Sequence, residues 1–270
     1  MSWLQNPATD TQITHGARLW LYVVAVLVMV LLVIPTLLVI PMSFSASQYL
    51  EFPPREWSLR WYASYFNSTS WMQATVTSLK AGVLTALLAT PLATMAAYGL
   101  HVSRLRHANL LLMLLLTPMV VPVILIGIGV FYAYVKLKLV NSMLGLVLAH
   151  SMLAIPVVML VVASALKSFD LDQELVARSL GASRLKAFWM VTLPQIKFSV
   201  VTGAVLAFLT SFDEIIVSLF VSGGDNSTLT RNMFNALRDQ VDPTIAAIST
   251  LIVLATTVLL VITQYVGRGK

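Results

Sequence analysis

The sequence predicts an all-α, polytopic membrane protein with six transmembrane helices. Three observations carry that expectation. Of 270 residues, 58% are hydrophobic and only 10% are charged, with a mean hydropathy of +0.86; soluble domains carry about 25% charged residues. Apolar stretches of the roughly 20 residues that a helix needs to cross a bilayer core recur along the chain. Basic residues gather on alternate connecting segments, the asymmetry that fixes orientation in a membrane.

The spans follow in order. Residues 1–18 form a polar tail. Leu19–Met42 is too long for a signal-peptide core and lacks an A-x-A-like cleavage site, so it reads as a first membrane helix within 19–44. The loop 45–73 contains PPREWSLRWYASYF, apolar-rich with few charges; it either forms a short helix lying on the membrane or touches a docking partner. A five-helix core is expected over 74–266, with spans at Ala74–Leu100, Leu110–Val135, Ser142–Leu166, Phe198–Val221 and Ile245–Val266 and a tail at 267–270. Pro35, Pro41, Pro91, Pro118, Pro122 and Pro156 fall inside spans. Each removes a backbone donor and can kink its helix. Either neighbouring helices re-satisfy the freed carbonyls, or the kinks open a path. Trp61, Trp71, Tyr132, Tyr134 and Tyr265 sit at expected interfaces, as aromatic belts do.

Placing the N-terminus inside puts Arg18, Arg104, Arg106, Lys167, Arg178, Arg184, Lys186, Lys197, Arg268 and Lys270 on the inner side. The outer side then holds Arg55, Arg60, Lys136, Lys138, Arg231 and Arg238. This bias places both termini, and the segment 167–196, in the cytoplasm. It also accounts for the net charge of +6 without invoking nucleic acid.

Much chemistry is excluded. Without cysteine there is neither a disulfide nor a thiolate metal site. His15, His101, His107 and His150 are scattered, with no zinc-binding spacing. No phosphate-cradling G-x-x-x-x-G-K-[ST] loop occurs. Ser183-x-x-Lys186 matches the short motif S-x-x-K by chance, since its companions S-D-N and K-T-G are missing.

The one long charged interval runs LDQELVARSLGASRLKAFWMVTLP from Leu171 to Pro194. Asp170 and Gln173 are spaced to cap a helix reciprocally, and that helix runs to about Leu180. Gly181 suits a left-handed C-terminal cap. Ser183 can cap a second short helix, with Leu185, Phe188, Trp189 and Thr192 on one apolar side. Pro194 disfavours helix at Leu193. Two short amphipathic helices hinged at glycine either pack on lipid headgroups or dock a partner.

In this segment the chain resembles the EAA loop of binding-protein-dependent (type I) ABC importer permeases. The family pattern is E-A-A-x-x-x-G, nine intervening residues, then I-x-L-P. Ala177, Gly181, Ala182, Val191, Leu193 and Pro194 fall in it. Leu175 and Val176 stand where the family has Glu and Ala, and Glu174 is the nearest acid. Ser211-Phe212-Asp213-Glu214, followed by Ile215-Ile216-Val217-Ser218, resembles the S-F-D-[DE]-x-x-V-S run of spermidine/putrescine permeases, and Asp242-Pro243-Thr244-Ile245 fits the same subgroup.

The resemblance implies the type I ABC importer permease fold and a bacterial inner-membrane location. It implies a non-enzymatic transport subunit for a small amine-bearing solute, a polyamine or a relative such as γ-aminobutyrate, an opine or an aminophosphonate. Its partners would be an ATP-binding subunit dimer, a second and different permease subunit, an extracytoplasmic solute-binding protein and membrane lipid, with no nucleic acid. No cofactor is expected on this chain; ATP and Mg belong to the ATPase. Docking would fall to Glu174, Ala177, Gly181, Ala182, Ser183, Leu185, Trp189, Leu193 and Pro194.

Carboxylates within a span are costly and face a cavity or a partner. At 1.5 Å per residue, Asp213 lies roughly 12 Å and Lys80 roughly 9 Å from the outer ends of their spans. A Lys80–Asp213 or Lys80–Glu214 pair is therefore one expectation, and a carboxylate lining a solute path is the other. Lys80 can also snorkel outward. Two other classes stay open: a secondary carrier coupling an ion to Asp213 or Glu214, marked by uptake indifferent to ATP, and a membrane-embedded enzyme.

Overall fold

The computed structural model describes residues 14–103, 106–239 and 241–267, apart from the side chains of 259, 260 and 262–267. Most of the polar tail, Arg104, Arg268, Lys270 and the Tyr265 side chain therefore lie outside the described residues. The chain divides into two compact units, Met1–Asn67 with Gln240–Lys270, and Ser68–Asp239. Among the described residues there is no strand, and Ser45 and Trp57 form an isolated bridge.

In the first unit, α1 (Leu19–Met42) is apolar on every side and buries none of its residues, the pattern of a helix that faces lipid. Pro35 and Pro41 lie inside it without ending it. The expected short helix in the following loop is α2 (Arg60–Asn67). The loop before it folds back on itself. The Arg60 guanidinium donates to the Ala46 carbonyl at 2.9 Å, the Trp61 indole to the Ser47 carbonyl at 3.1 Å, and buried Ser43 pairs with the Tyr62 hydroxyl at 2.7 Å.

The second unit is built on three helices. These are α3 (Thr69–Val102), α6 (Met143–Lys167) and α9 (Leu193–Phe212). Small residues recur down α3 at helical spacing, and Ala74, Ser78, Ala81, Thr85, Ala89, Ala93 and Ala97 are all buried. Lipid is as apolar as leucine, so membrane helices gain by close backbone approach over small side chains. A β-carbon at Gly203 would lie 2.9 Å from Val158, which shows how tightly α9 sits on α6. Val158, Met159, Val162, Leu166, Ile196 and Ala207 fill the core between them. Ser68 and Ser142 cap α3 and α6 by accepting from the Trp71 and Gly145 amides. Pro91 and Pro156 are absorbed within these helices.

The third expected span is corrected. Leu110–Val135 is not one rod but α4 (Ala108–Leu116), a 3-10 turn (Thr117–Met119) and α5 (Val123–Leu137), bent by 93°. Pro118 and Pro122 bracket the bend, and Pro122 cannot donate to the turn before it.

The fifth is corrected at both ends. After α7 (Asp172–Ser179) and α8 (Arg184–Ala187) comes a π-helical turn, Phe188–Thr192, and the helix continues without a stop into α9. Leu193 is helical despite Pro194. Its amide bonds the Phe188 carbonyl five residues back, and the widened turn accommodates a residue with no N–H to give. At the other end α9 stops at Phe212, and a separate α10 (Ile216–Val221) completes the span. A 3-10 turn (Gly224–Asn226) and α11 (Leu229–Asp239) follow, and α12 (Thr244–Gly267) belongs to the first unit. Among the described residues four helices are long and apolar enough to cross a membrane, and the bent pair makes up to five; Thr244–Val258 is a shorter apolar stretch in the sixth position.

Candidate functional site

The second unit carries two constellations, a glycine elbow over 167–196 and the break in the fifth span. In the elbow, α7 ends in a full Schellman cap. Gly181 takes φ +92°, its amide bonds the Arg178 carbonyl, and the Ala182 amide reaches back to Ala177. Only glycine holds that backbone without strain. Ser183 then accepts from the Lys186 amide and starts α8. The expected reciprocal cap at the start of α7 is corrected. The Asp170 carboxylate accepts from the Asp172 amide instead, two residues on, and the Gln173 side chain bonds Gln195 at the base of α9.

The apolar side of α8 is also corrected. Ala187, Phe188 and Thr192 are buried, whereas Leu185 and Trp189 are exposed, so the four expected residues do not share one buried stripe. Leu175, Val176 and Leu180 are exposed too, Leu180 by 85%. The elbow thus shows an apolar outer surface on a charged segment.

Glu174 points the other way. Its carboxyl is 3% exposed and accepts from the Tyr98 hydroxyl at 2.6 Å and the Thr192 hydroxyl at 2.8 Å. The Tyr98 and Phe188 rings meet with centroids 4.6 Å apart. Arg184 reaches the Val102 carbonyl at 3.5 Å. One carboxylate therefore joins the elbow to the end of α3 and the base of α9. A groove of about 520 Å³ begins at Phe188 and Trp189 and runs between α3 and α9, past Thr90, Thr94 and Val200 to Phe208.

At the break, the two acids have different surroundings. Glu214 is half-buried, and its carboxylate accepts from the Val217 amide at 2.9 Å, capping α10. Its backbone carbonyl accepts from the Ser218 hydroxyl at 2.8 Å and the Thr230 hydroxyl at 3.2 Å. Such local side-chain bonds compete with the helix ladder, which is why the helix stops here. Asp213 is exposed, and among the described residues its carboxylate accepts no hydrogen bond and joins no ion pair. The expected pairing of Lys80 with Asp213 or Glu214 is corrected. Lys80 is exposed, and the one ion pair among the described residues is Arg238–Asp239. With Glu214 held by a backbone amide, the break is stable without a lysine.

Sequence reasoning passed over His150. It is fully buried on α6, with Nδ1 2.7 Å from the Ser211 hydroxyl and Nε2 3.1 Å from that of Ser218. Ser211 and Ser218 flank the break, so the histidine contacts both sides of it. A second cavity of about 460 Å³, polar, lies between Gln73 on α3 and Asp225, Arg231, Asn232 and Asn235. No cluster of three or more metal-ligating side chains occurs among the described residues.

A family model described as the binding-protein-dependent transport system inner membrane component matches residues 89–269. The chain belongs to this family. It is 32% identical over 240 residues to the putrescine transport system permease protein PotI of Escherichia coli K12, covering 86% of this chain and 85% of PotI. It is 28% identical over 239 residues to the spermidine/putrescine transport system permease protein PotC of the same strain, covering 88% and 90%. Its backbone is similar to a chain of a bacterial ABC transporter involved in the import of the acidic polysaccharide alginate, with TM-score 0.74, 14% identity and coverage of 95% and 98%. The permease is thus a membrane transport component rather than an enzyme, and its fold is that of ABC importer permeases.

Proposed function

We propose that the permease forms the translocation path for a small amine-bearing solute of the putrescine or spermidine type, in an importer powered by a separate ATPase. The observation that carries this reading is the division of labour at the break. Glu214 is held as a cap, while Asp213 presents an unpartnered carboxylate in the middle of an apolar span. A carboxylate within a span faces a cavity or a partner, and Asp213, exposed and unpaired, is open to an ammonium group. The polyamine permeases among its relatives support the choice of solute.

Both termini lie in the cytoplasm in this reading, and the elbow faces the ATPases. Leu185, Trp189 and Leu180 are the exposed apolar contacts for the ATPase dimer, Gly181 is the hinge, and Glu174 passes movement to α3 and α9. A second permease chain completes the path, and a binding protein delivers solute from outside. ATP-driven closure of the ATPases pushes the elbow, and rigid-body rocking exposes the path to each side in turn.

The test is putrescine uptake by the reconstituted importer. Asp213→Asn raises the apparent KM roughly tenfold or more, the scale of one charge-assisted contact. Glu214→Gln, whose amide oxygen still caps α10, changes it by less than about threefold. Equal, small effects of both substitutions would remove Asp213 from the path.

A further inference from the structure

We propose that His150 is a positioning residue, a clasp that holds α9 and α10 in register across the break and so fixes where the Asp213 carboxylate stands. The inference rests on Asp213 as the solute contact and adds a residue that meets no solute itself.

The geometry assigns the hydrogens. Ser218 has a single hydroxyl proton, and it goes to the Glu214 carbonyl at 2.8 Å. Toward His150 it can therefore only accept, so Nε2 carries the ring proton at 3.1 Å. In the neutral ring Nδ1 is then bare and accepts from Ser211 at 2.7 Å. Ser211 lies in the last turn of α9 and Ser218 in the first turn of α10, and both are buried, 3% and 0% exposed. Between them the helix is interrupted at Asp213, Glu214 and Ile215. The Asp213 amide still bonds back to Leu209 and the Ile215 carbonyl accepts from Leu219, so the main chain ties each side of the break only to its own helix. A rigid ring with acceptor and donor on opposite edges spans that gap. The polar atoms involved are paired, as burial demands. Because the two partners belong to different helices, the same ring that fills the space also ties α9 to α10.

The test uses the assembled importer in proteoliposomes with putrescine as probe. His150→Leu raises the apparent KM roughly tenfold, and His150→Gln, whose amide can take one hydroxyl proton and give another, recovers most of that loss. A second readout does not depend on the solute. The chain has no cysteine, so Asp213→Cys introduces a unique thiol whose maleimide labelling reports where position 213 stands. Adding His150→Leu changes that labelling rate by roughly fivefold. Should His150→Leu fail to assemble, Ser211→Ala and Ser218→Ala each remove one bond and shift labelling in the same direction by less. Labelling unchanged in all of these variants overturns the clasp. So does a fall in yield with both readouts unchanged, which makes His150 a packing residue. Altered labelling beside a silent Asp213→Asn keeps the clasp and removes the solute reading instead.

Discussion

Glu174 shows what one side chain does in this permease. It accepts from Tyr98 and Thr192 while almost fully buried, so removing it leaves two hydroxyls without their partner. Glu174→Ala is expected to cost about 2 kcal/mol, read as a lower unfolding midpoint in detergent. The dependence of ATP hydrolysis on solute should also weaken, because the elbow then keeps only the Arg184–Val102 bond and the Tyr98–Phe188 ring contact to α3. Glu174→Gln, which keeps an acceptor and adds a donor, should lose less than half as much in both measurements. The sequence picked out Glu174 as the acid nearest the family motif but gave its direction wrongly, as a surface contact. Nothing local could correct that, since Tyr98 lies 76 residues away in the chain. His150 was illegible for the same reason, with its two serines 61 and 68 residues distant. Side chains whose meaning is a long-range partner are invisible to periodicity, whereas Asp213 stood out because charge inside a span is conspicuous alone.

At the scale of elements, local chemistry was readable and bends were not. The glycine cap of α7 and the serine cap of α8 depend on neighbours within a few residues, and both appear where spacing placed them. The Gly181 amide donates to Arg178 at φ +92°, and proline can supply neither that donor nor that angle. Gly181→Pro should therefore abolish solute-coupled ATP hydrolysis in the reconstituted importer while the subunit still inserts. Gly181→Ala, strained by about 1–2 kcal/mol, should retain part of the coupling. Full coupling in the proline variant removes the hinge. The bend at Thr117–Pro122 was signalled by two prolines, but Pro91 and Pro156 look alike in sequence and leave their helices intact. Whether a proline breaks a helix depends on what packs beside the freed carbonyl, and that is a property of the fold.

Across the whole molecule, apolar length foretold where apolar helices lie. Among the described residues four are long enough to cross a membrane and the bent pair makes up to five, against six expected. Small residues set how closely the central helices approach. Gly203→Val puts a branched side chain where even a β-carbon would sit 2.9 Å from Val158. It should destabilise the three-helix core by about 1–3 kcal/mol, seen as a lower unfolding midpoint, with the labelling rate of the thiol introduced by Asp213→Cys preserved. The interrupted span has a further electrical consequence. The carbonyls that finish the twenty-residue α9 carry about half an electron of negative charge, and they gather next to Asp213. The opposite pole, where α10 begins, is muffled by the Glu214 carboxylate. The gap is then an electronegative notch in an oily wall, and sodium would feel its pull as an ammonium does. Any preference for an ammonium-bearing solute over a bare ion would then have to come from apolar surface, which can sheathe methylenes that sodium lacks.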